Sequence, residues 1–107
     1  IAQRLAERAP GARFIGVLVQ KMVSRPHGRE LIVGLAHDPS FGPVVNFGMG
    51  GVAVEIFRDS SVALPPLNAF LARALIARTK VSRMLEAFRG APAVDMERLV
   101  DVLLRVS

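Results

Sequence analysis

At 107 residues and 51% hydrophobic content, the chain has the size and apolar fraction of one ordinary domain with a single core. It contains no cysteine, which excludes a disulfide framework or thiolate metal site and is compatible with a reducing, cytoplasmic setting. The net charge of +5, from 14 Lys and Arg against 9 Asp and Glu, is spread through every segment and clusters only from Arg78 to Arg83, so it reads as a solvated basic surface rather than a nucleic-acid footprint.

Residues 2–8, AQRLAER, suit the tail of a helix that Pro10-Gly11 ends. Ile15 to Val23 (IGVLVQKMV) is nearly continuous in apolar residues, as expected of a strand covered on both faces. Ser24 to Gly28 carries two strong turn formers and predicts a loop. The next strand places Leu31, Val33 and Leu35 on one face and Glu30, Ile32, Gly34 and Ala36 on the other. Glu30 is the one charge among them, and a carboxylate is costly to bury without hydrogen bonds, so it suits the rim of a polar pocket. Asp38 to Pro43 joins this strand to a second as a hairpin with a longer loop, since Pro39 and Pro43 are expected outside central strands.

The glycine-rich Gly48-Met49-Gly50-Gly51 leads to a third strand candidate, Val52 to Arg58, and Ser61 to Leu64 adds a short edge piece. Asn68 is placed to cap a helix from Ala69 that carries Phe70, Leu71, Ala74 and Leu75. The pattern continues past Thr79, or restarts there, with Val81, Met84, Leu85 and Phe88 at helical spacing, and Gly90 and Pro92 stop it. Asp95 caps a last helix whose stripe is Met96, Leu99, Val100, Leu103 and Val106. Met and Phe at such spacing read as core. The fold class expected is α+β: an antiparallel sheet of about four strands with helices packed on it, in one domain over residues 1–107. The start at Ile1 and a helical pattern running into Ser107 read as those of a fragment of a larger chain. Its apolar runs are too short to span a bilayer as helices, and no signal-peptide pattern opens it.

Gly48 to Ala53 fits the letters of GxGxxG/A, but that fingerprint must open a helix whose N-terminus receives a pyrophosphate. The alternation of Val52, Val54 and Ile56 predicts a strand instead, which argues against a dinucleotide site. A tight turn and a close backbone approach to a phosphate both remain open. His27 and His37 lack a third ligand at metal-like spacing, Glu55 and Asp59 read as a solvated strand end, and Ser24, Ser60 and Ser61 lack a nucleophile-elbow context.

Taken together, GVLVQKMV (16–23), RELIVGLAHDPSFGPVVNFGMGGVAVEIFRD (29–59), Leu64-Pro65-Pro66-Leu67 and LEAFRGAPAVDMERL (85–99) resemble the ATP-grasp region of NDP-forming acyl-CoA synthetases. This is the ADP-forming acetate–CoA ligase group, related to succinyl-CoA synthetase beta subunits. The resemblance covers nearly the whole chain, and DPxFGPVVxFGxGGxxVE is long and ordered enough to be specific. It implies part of an ATP-grasp fold, with ATP or ADP and magnesium as cofactors and CoA as a substrate of the parent enzyme. Its hinge strand, where backbone groups read adenine, matches Gln20-Lys21-Met22-Val23; the glutamate that contacts the ribose matches Glu30; and Gly48, Gly50 and Gly51 become candidates for phosphate proximity. The family's glycine-rich segment before this glutamate is here Ser24-Arg25-Pro26-His27-Gly28.

The family's upstream Lys and His phosphate-handling segment, and its downstream acidic and aspartate metal-binding motifs, find no counterpart between Ile1 and Ser107. The resemblance therefore implies a nucleotide-binding part of an acid-thiol ligase, without catalytic or metal residues of its own and inactive in isolation. Its implied partners are the nucleotide and a CoA-binding region of the same or another chain; no membrane partner is implied, and a homo-oligomer is compatible. Two alternatives stand beside it: the ATP-grasp region of a protein lysine acetyltransferase with an appended acetyltransferase domain, and a basic non-enzymatic binding module.

Overall fold

A computed structural model describes residues 2–51, 59–88 and 90–107. Helix α1 spans Ala2–Arg8 and ends at the turn where the Ala12 amide donates to the Ala9 carbonyl at 2.9 Å. The chain then runs extended and without regular structure to Glu30. Here the expected strand at Ile15 to Val23 is corrected: Ile15, Leu18 and Met22 are 92%, 89% and 87% exposed, and the segment pairs with no described strand. A strand exists only as a member of a ladder, whatever its composition, because its backbone groups have no partners within the segment. The radius of gyration, 17.4 Å, exceeds the roughly 13 Å of a compact chain of this length, in keeping with this extended arm.

The sheet is antiparallel in the order β1 (Leu31–Asp38), β2 (Gly42–Met49), β3 (Ser60–Ala63). Strands β1 and β2 pair from Leu31 with Met49 to Asp38 with Gly42, so the connection is shorter than expected, Pro39 to Phe41. The Asp38 Oδ1 accepts from the amides of Ser40 (2.8 Å) and Phe41 (3.0 Å), and Gly42 takes a φ of 77° that closes the tight turn. Pro43 lies within β2 opposite His37, contrary to its expected place in a loop. Strand β3 reaches β2 only from Val45 to Gly48, so among the described residues one side of β2 is unpaired at Pro43 and a residue without N–H is tolerated. The expected strand at Val52 to Arg58 lies outside the described residues; of the about four strands expected, three are described.

Helix α2 (Ala69–Ala77) begins where the Asn68 Oδ1 accepts from the Leu71 amide at 2.8 Å. It presents Ala72, Leu75 and Ile76 to the core, while Phe70 stays exposed in its first turn. A 3₁₀ helix (Lys80–Leu85) then buries Val81 and Leu85. The chain turns away after Leu85, whose carbonyl accepts from the Val94 amide at 2.8 Å, and this leaves Met84 and Phe88 exposed rather than in the core. Helix α3 (Met96–Val106), capped by the Asp95 side chain on the Arg98 amide, buries Leu99, Val100 and Leu103 as the spacing predicts. These residues close over Val45 and Phe47 of β2, with Leu31, Val33 and Met49 at the margin. Among the described residues, no helix is long and apolar enough to cross a membrane.

Asp59, expected as a solvated strand end, is only 8% exposed and joins sheet to helices. Its carboxylate accepts from the amides of Lys80 (2.7 Å) and Val81 (2.6 Å), capping the 3₁₀ helix across the core. Replacing it strands two amide donors in a largely buried place. Asp59→Ala is expected to lower the unfolding free energy by about 1–2 kcal/mol, and Asp95→Ala, an exposed cap with one amide bond, by less. Urea denaturation with unchanged m-values checks the order; equal costs would remove the bridging role from Asp59.

Candidate functional site

Glu30 stands one residue before β1, and the same register carries on past the strand ends: the Gly50 amide donates to the Glu30 carbonyl at 2.7 Å. The glycines are there because nothing larger fits. A Cβ on Gly50 would lie 2.9 Å from the Glu30 carbonyl carbon and 3.0 Å from its Cγ. Gly51 has a φ of 74°, and a Cβ there would lie 2.7 Å from Glu30 Oε2. The carboxylate therefore rests over the bare backbone of Gly50-Gly51, a contact only residues without side chains allow. Gly48 answers to a different neighbour, since its Cβ would meet the Asp59 carbonyl at 2.3 Å, and it serves the close approach of β2 to the chain entering β3.

Two cavities meet at Glu30. One, about 270 Å³, is lined by Gly28 to Glu30, Met49 to Gly51, Val81 and Met84. The other, about 680 Å³, is lined by Met22 to Arg25 and Gly28 to Glu30. Of the residues expected in a site, the structure thus brings Met22, Val23, Glu30, Gly50 and Gly51 together, while Gln20, Lys21 and Gly48 lie outside both walls. The backbone from Gln20 to Val23 forms no hydrogen bond among the described residues, so its amides and carbonyls remain available to a ligand edge.

Between the extended arm and Glu30, the Gly28 amide donates to the Arg25 carbonyl at 3.0 Å, closing a turn in which His27 takes a φ of 59° at the third position. A non-glycine residue pays for that conformation, though His does so more often than most. The adjacent Arg29 lines both cavities and a third of about 330 Å³ with His27, Arg83, Met84, Phe88 and Ala91. Its guanidinium donates to the carbonyls of Pro92 (2.9 Å) and Glu86 (2.8 Å), and so is not the partner of Glu30. Nothing local in the sequence announces those bonds, which join residues 63 and 57 positions apart.

A magnesium ion needs several hard oxygen donors in octahedral array. Glu30 is the one carboxylate lining the two cavities, and among the described residues no group of three His, Asp or Glu side chains gathers to hold a metal. The residues present do not fit that ion. They do fit the nucleoside end of a nucleotide: an acceptor for hydroxyls, free backbone for a base edge, and a low glycine floor.

The family described as ATP-grasp domain matches residues 1–107. The chain is 45% identical over its whole length to the Archaeoglobus fulgidus protein named acetate–CoA ligase [ADP-forming] I, of which it covers 15%. It is 39% identical over 99% of its length to the beta subunit of the Pyrococcus furiosus acetate–CoA ligase [ADP-forming] I, of which it covers 45%. The chain thus spans less than half of either relative. A solved structure of an acetyl-coenzyme A synthetase from Ca. Korarchaeum cryptofilum, in complex with coenzyme A and Ca-AMPCP, superposes with a TM-score of 0.80 at 42% identity, over 98% of this chain and 45% of that one. Another structure of that synthetase, with coenzyme A and Mg-AMPPCP, gives a TM-score of 0.71 at 47% identity over 78% of this chain and 38% of that one.

The glycine floor is open to test. Gly51→Ala is expected to push the Glu30 carboxylate aside and cost about 1 kcal/mol of stability, whereas Gly34→Ala, where a Cβ would meet nothing within 4 Å, should stay within about 0.5 kcal/mol. Chemical denaturation of the two variants reads the difference, and equal midpoints would refute the close packing.

Proposed function

Because the chain belongs to the ATP-grasp domain family, we propose that it is the nucleotide-facing region of an ADP-forming acetyl- or acyl-CoA synthetase, which interconverts acyl-CoA, ADP and phosphate with carboxylate, CoA and ATP. The observation that carries the proposal is the Glu30 carboxylate set over Gly50-Gly51, beside a cavity that Met22 and Val23 share. Glu30 accepts hydrogen bonds from the ribose hydroxyls, and the free backbone of Met22 and Val23, which line that cavity, reads the edge of the base. Gly50 and Gly51 keep the floor low enough for the sugar and its first phosphate to approach.

Magnesium and the groups that move the phosphoryl belong, in this reading, to the rest of the enzyme; bound magnesium would neutralise phosphate charge there. CoA enters as a substrate held by another region of the same or a partner chain. Relatives include a separate beta subunit. The cytoplasm is the setting proposed, in keeping with a chain free of cysteine.

In the full-length enzyme, Glu30→Gln is expected to raise the KM for ATP. Gln keeps one acceptor but loses the charge that strengthens a hydrogen bond by about 1–2 kcal/mol, or roughly fivefold to thirtyfold in affinity. Steady-state kinetics beside a thermal unfolding curve decide the matter, since an unchanged KM with a lowered Tm would make Glu30 a structural residue.

The isolated chain is expected to bind ATP with magnesium more weakly than micromolar. A micromolar Kd needs about −8 kcal/mol, and the strongest contacts to a nucleotide are those made to its charged phosphates. Calorimetric titration giving a micromolar Kd would overturn this division of labour.

A further inference from the structure

Arg29 and Glu30 are neighbours in sequence, yet among the described residues Glu30 forms no ion pair. The guanidinium is occupied by other partners, Nη1 donating to the Pro92 carbonyl at 2.9 Å and Nη2 to the Glu86 carbonyl at 2.8 Å. Those carbonyls stand on the two limbs of one loop. Phe88 and Ala91 exchange backbone hydrogen bonds across it at 3.0 and 2.9 Å, and the Val94 amide closes its base on the Leu85 carbonyl at 2.8 Å. Arg29 thereby ties the head of β1 to the connection between the 3₁₀ helix and α3.

The consequence falls on Glu30. Its backbone is held on one side by the Gly50 amide, at 2.7 Å, and on the other through the anchored side chain of Arg29. A planar fork with two donors on two fixed acceptors restrains direction as well as distance, which a single ammonium does not. The same bonds engage the guanidinium and no ion pair forms with the carboxylate, so that Glu30 keeps its acceptor capacity for a ligand.

We infer that Arg29 is a positioning residue for nucleotide binding: it fixes the backbone from which Glu30 projects and keeps that carboxylate unpaired. The inference rests on the reading of Glu30 as the ribose ligand, and it touches no reacting atom.

The test uses the full-length enzyme with Arg29→Gln, Arg29→Lys, Glu30→Gln and the Arg29→Gln/Glu30→Gln double variant, recording KM for ATP, kcat and Tm for each. Arg29→Gln is expected to raise KM about threefold to tenfold with kcat little changed. Arg29→Lys, able to reach one carbonyl at a time, should recover part of that loss. The double variant should be no worse than Glu30→Gln alone, because a positioning residue has nothing left to position. If Arg29→Gln lowers Tm and leaves KM untouched at temperatures well below it, Arg29 is a structural staple and the inference falls. If the two single effects multiply in the double variant, Arg29 acts on the nucleotide independently of Glu30, which also overturns it. An unchanged KM in Glu30→Gln sinks the ribose reading itself, and the positioning role with it.

Discussion

The pairing of β1 on β2 is the constraint from which both the core and the candidate site follow. Its register sets Leu31 against Met49 and Val33 against Phe47, turning one face of the hairpin to the helices. One step beyond the ladder, the same register sets Glu30 against Gly50. A slip by one residue would move Phe47 and Val45, both fully buried, to the opposite face. Burying such side chains stabilises by about 1.5–3 kcal/mol each, so the register is strongly specified. The place of Glu30 along the hairpin is therefore set by the same apolar contacts that form the core, and the Gly50 amide and the anchored Arg29 hold it there.

The helical layer is tied to the sheet, and its helices to one another, by polar groups whose partners lie far away in sequence. Asp59 caps the 3₁₀ helix from the entry to β3, and Arg29 holds the loop that follows that helix from the entry to β1. The Ser107 hydroxyl accepts from the Leu67 amide at 3.1 Å while donating to the Leu104 carbonyl, so the end of α3 is tied to the approach to α2. Each satisfies a backbone group at a place where a helix or loop end leaves donors or acceptors unpaired. The surface ion pairs Arg98 with Asp95 and Arg105 with Asp101 are exposed and contribute little by comparison.

What the sequence made legible was local. Asn68 and Asp95 announced their helices because a cap and the amide it serves are three residues apart. The α3 stripe at Leu99, Val100 and Leu103 followed from helical period, and the hairpin from two apolar runs around a proline and glycine turn. The likeness to a known family singled out Glu30, Gly50 and Gly51 as site candidates, but that the two glycines lie against the Glu30 side chain came only from the structure. Where the reading failed, the deciding partner was distant. Ile15 to Val23 has the composition of a strand and no described ladder to join, and Asp59 looked like a strand end because its two amides lie 21 and 22 residues on. Phe70, Met84 and Phe88 read as core from helical spacing, whereas the turn of α2 toward Ala72 and Leu75 and the early end of the 3₁₀ helix leave them outside.

The exposure of Glu30 suits the role proposed for it. A carboxylate buried without partners would protonate or destabilise the fold, and one neutralised by a neighbouring arginine would have little left to offer a hydroxyl. Glu30 avoids both outcomes, since it packs against glycine backbone on one side, is exposed on the other, and has Arg29 engaged elsewhere. A ligand that covers the carboxylate replaces water with its own donors in a less polar setting, where a charge-assisted hydrogen bond is stronger than in bulk solvent. Under the proposed function that gain falls on the sugar and is a small part of a nucleotide's affinity, so Glu30 would orient the nucleoside while other groups hold the phosphates.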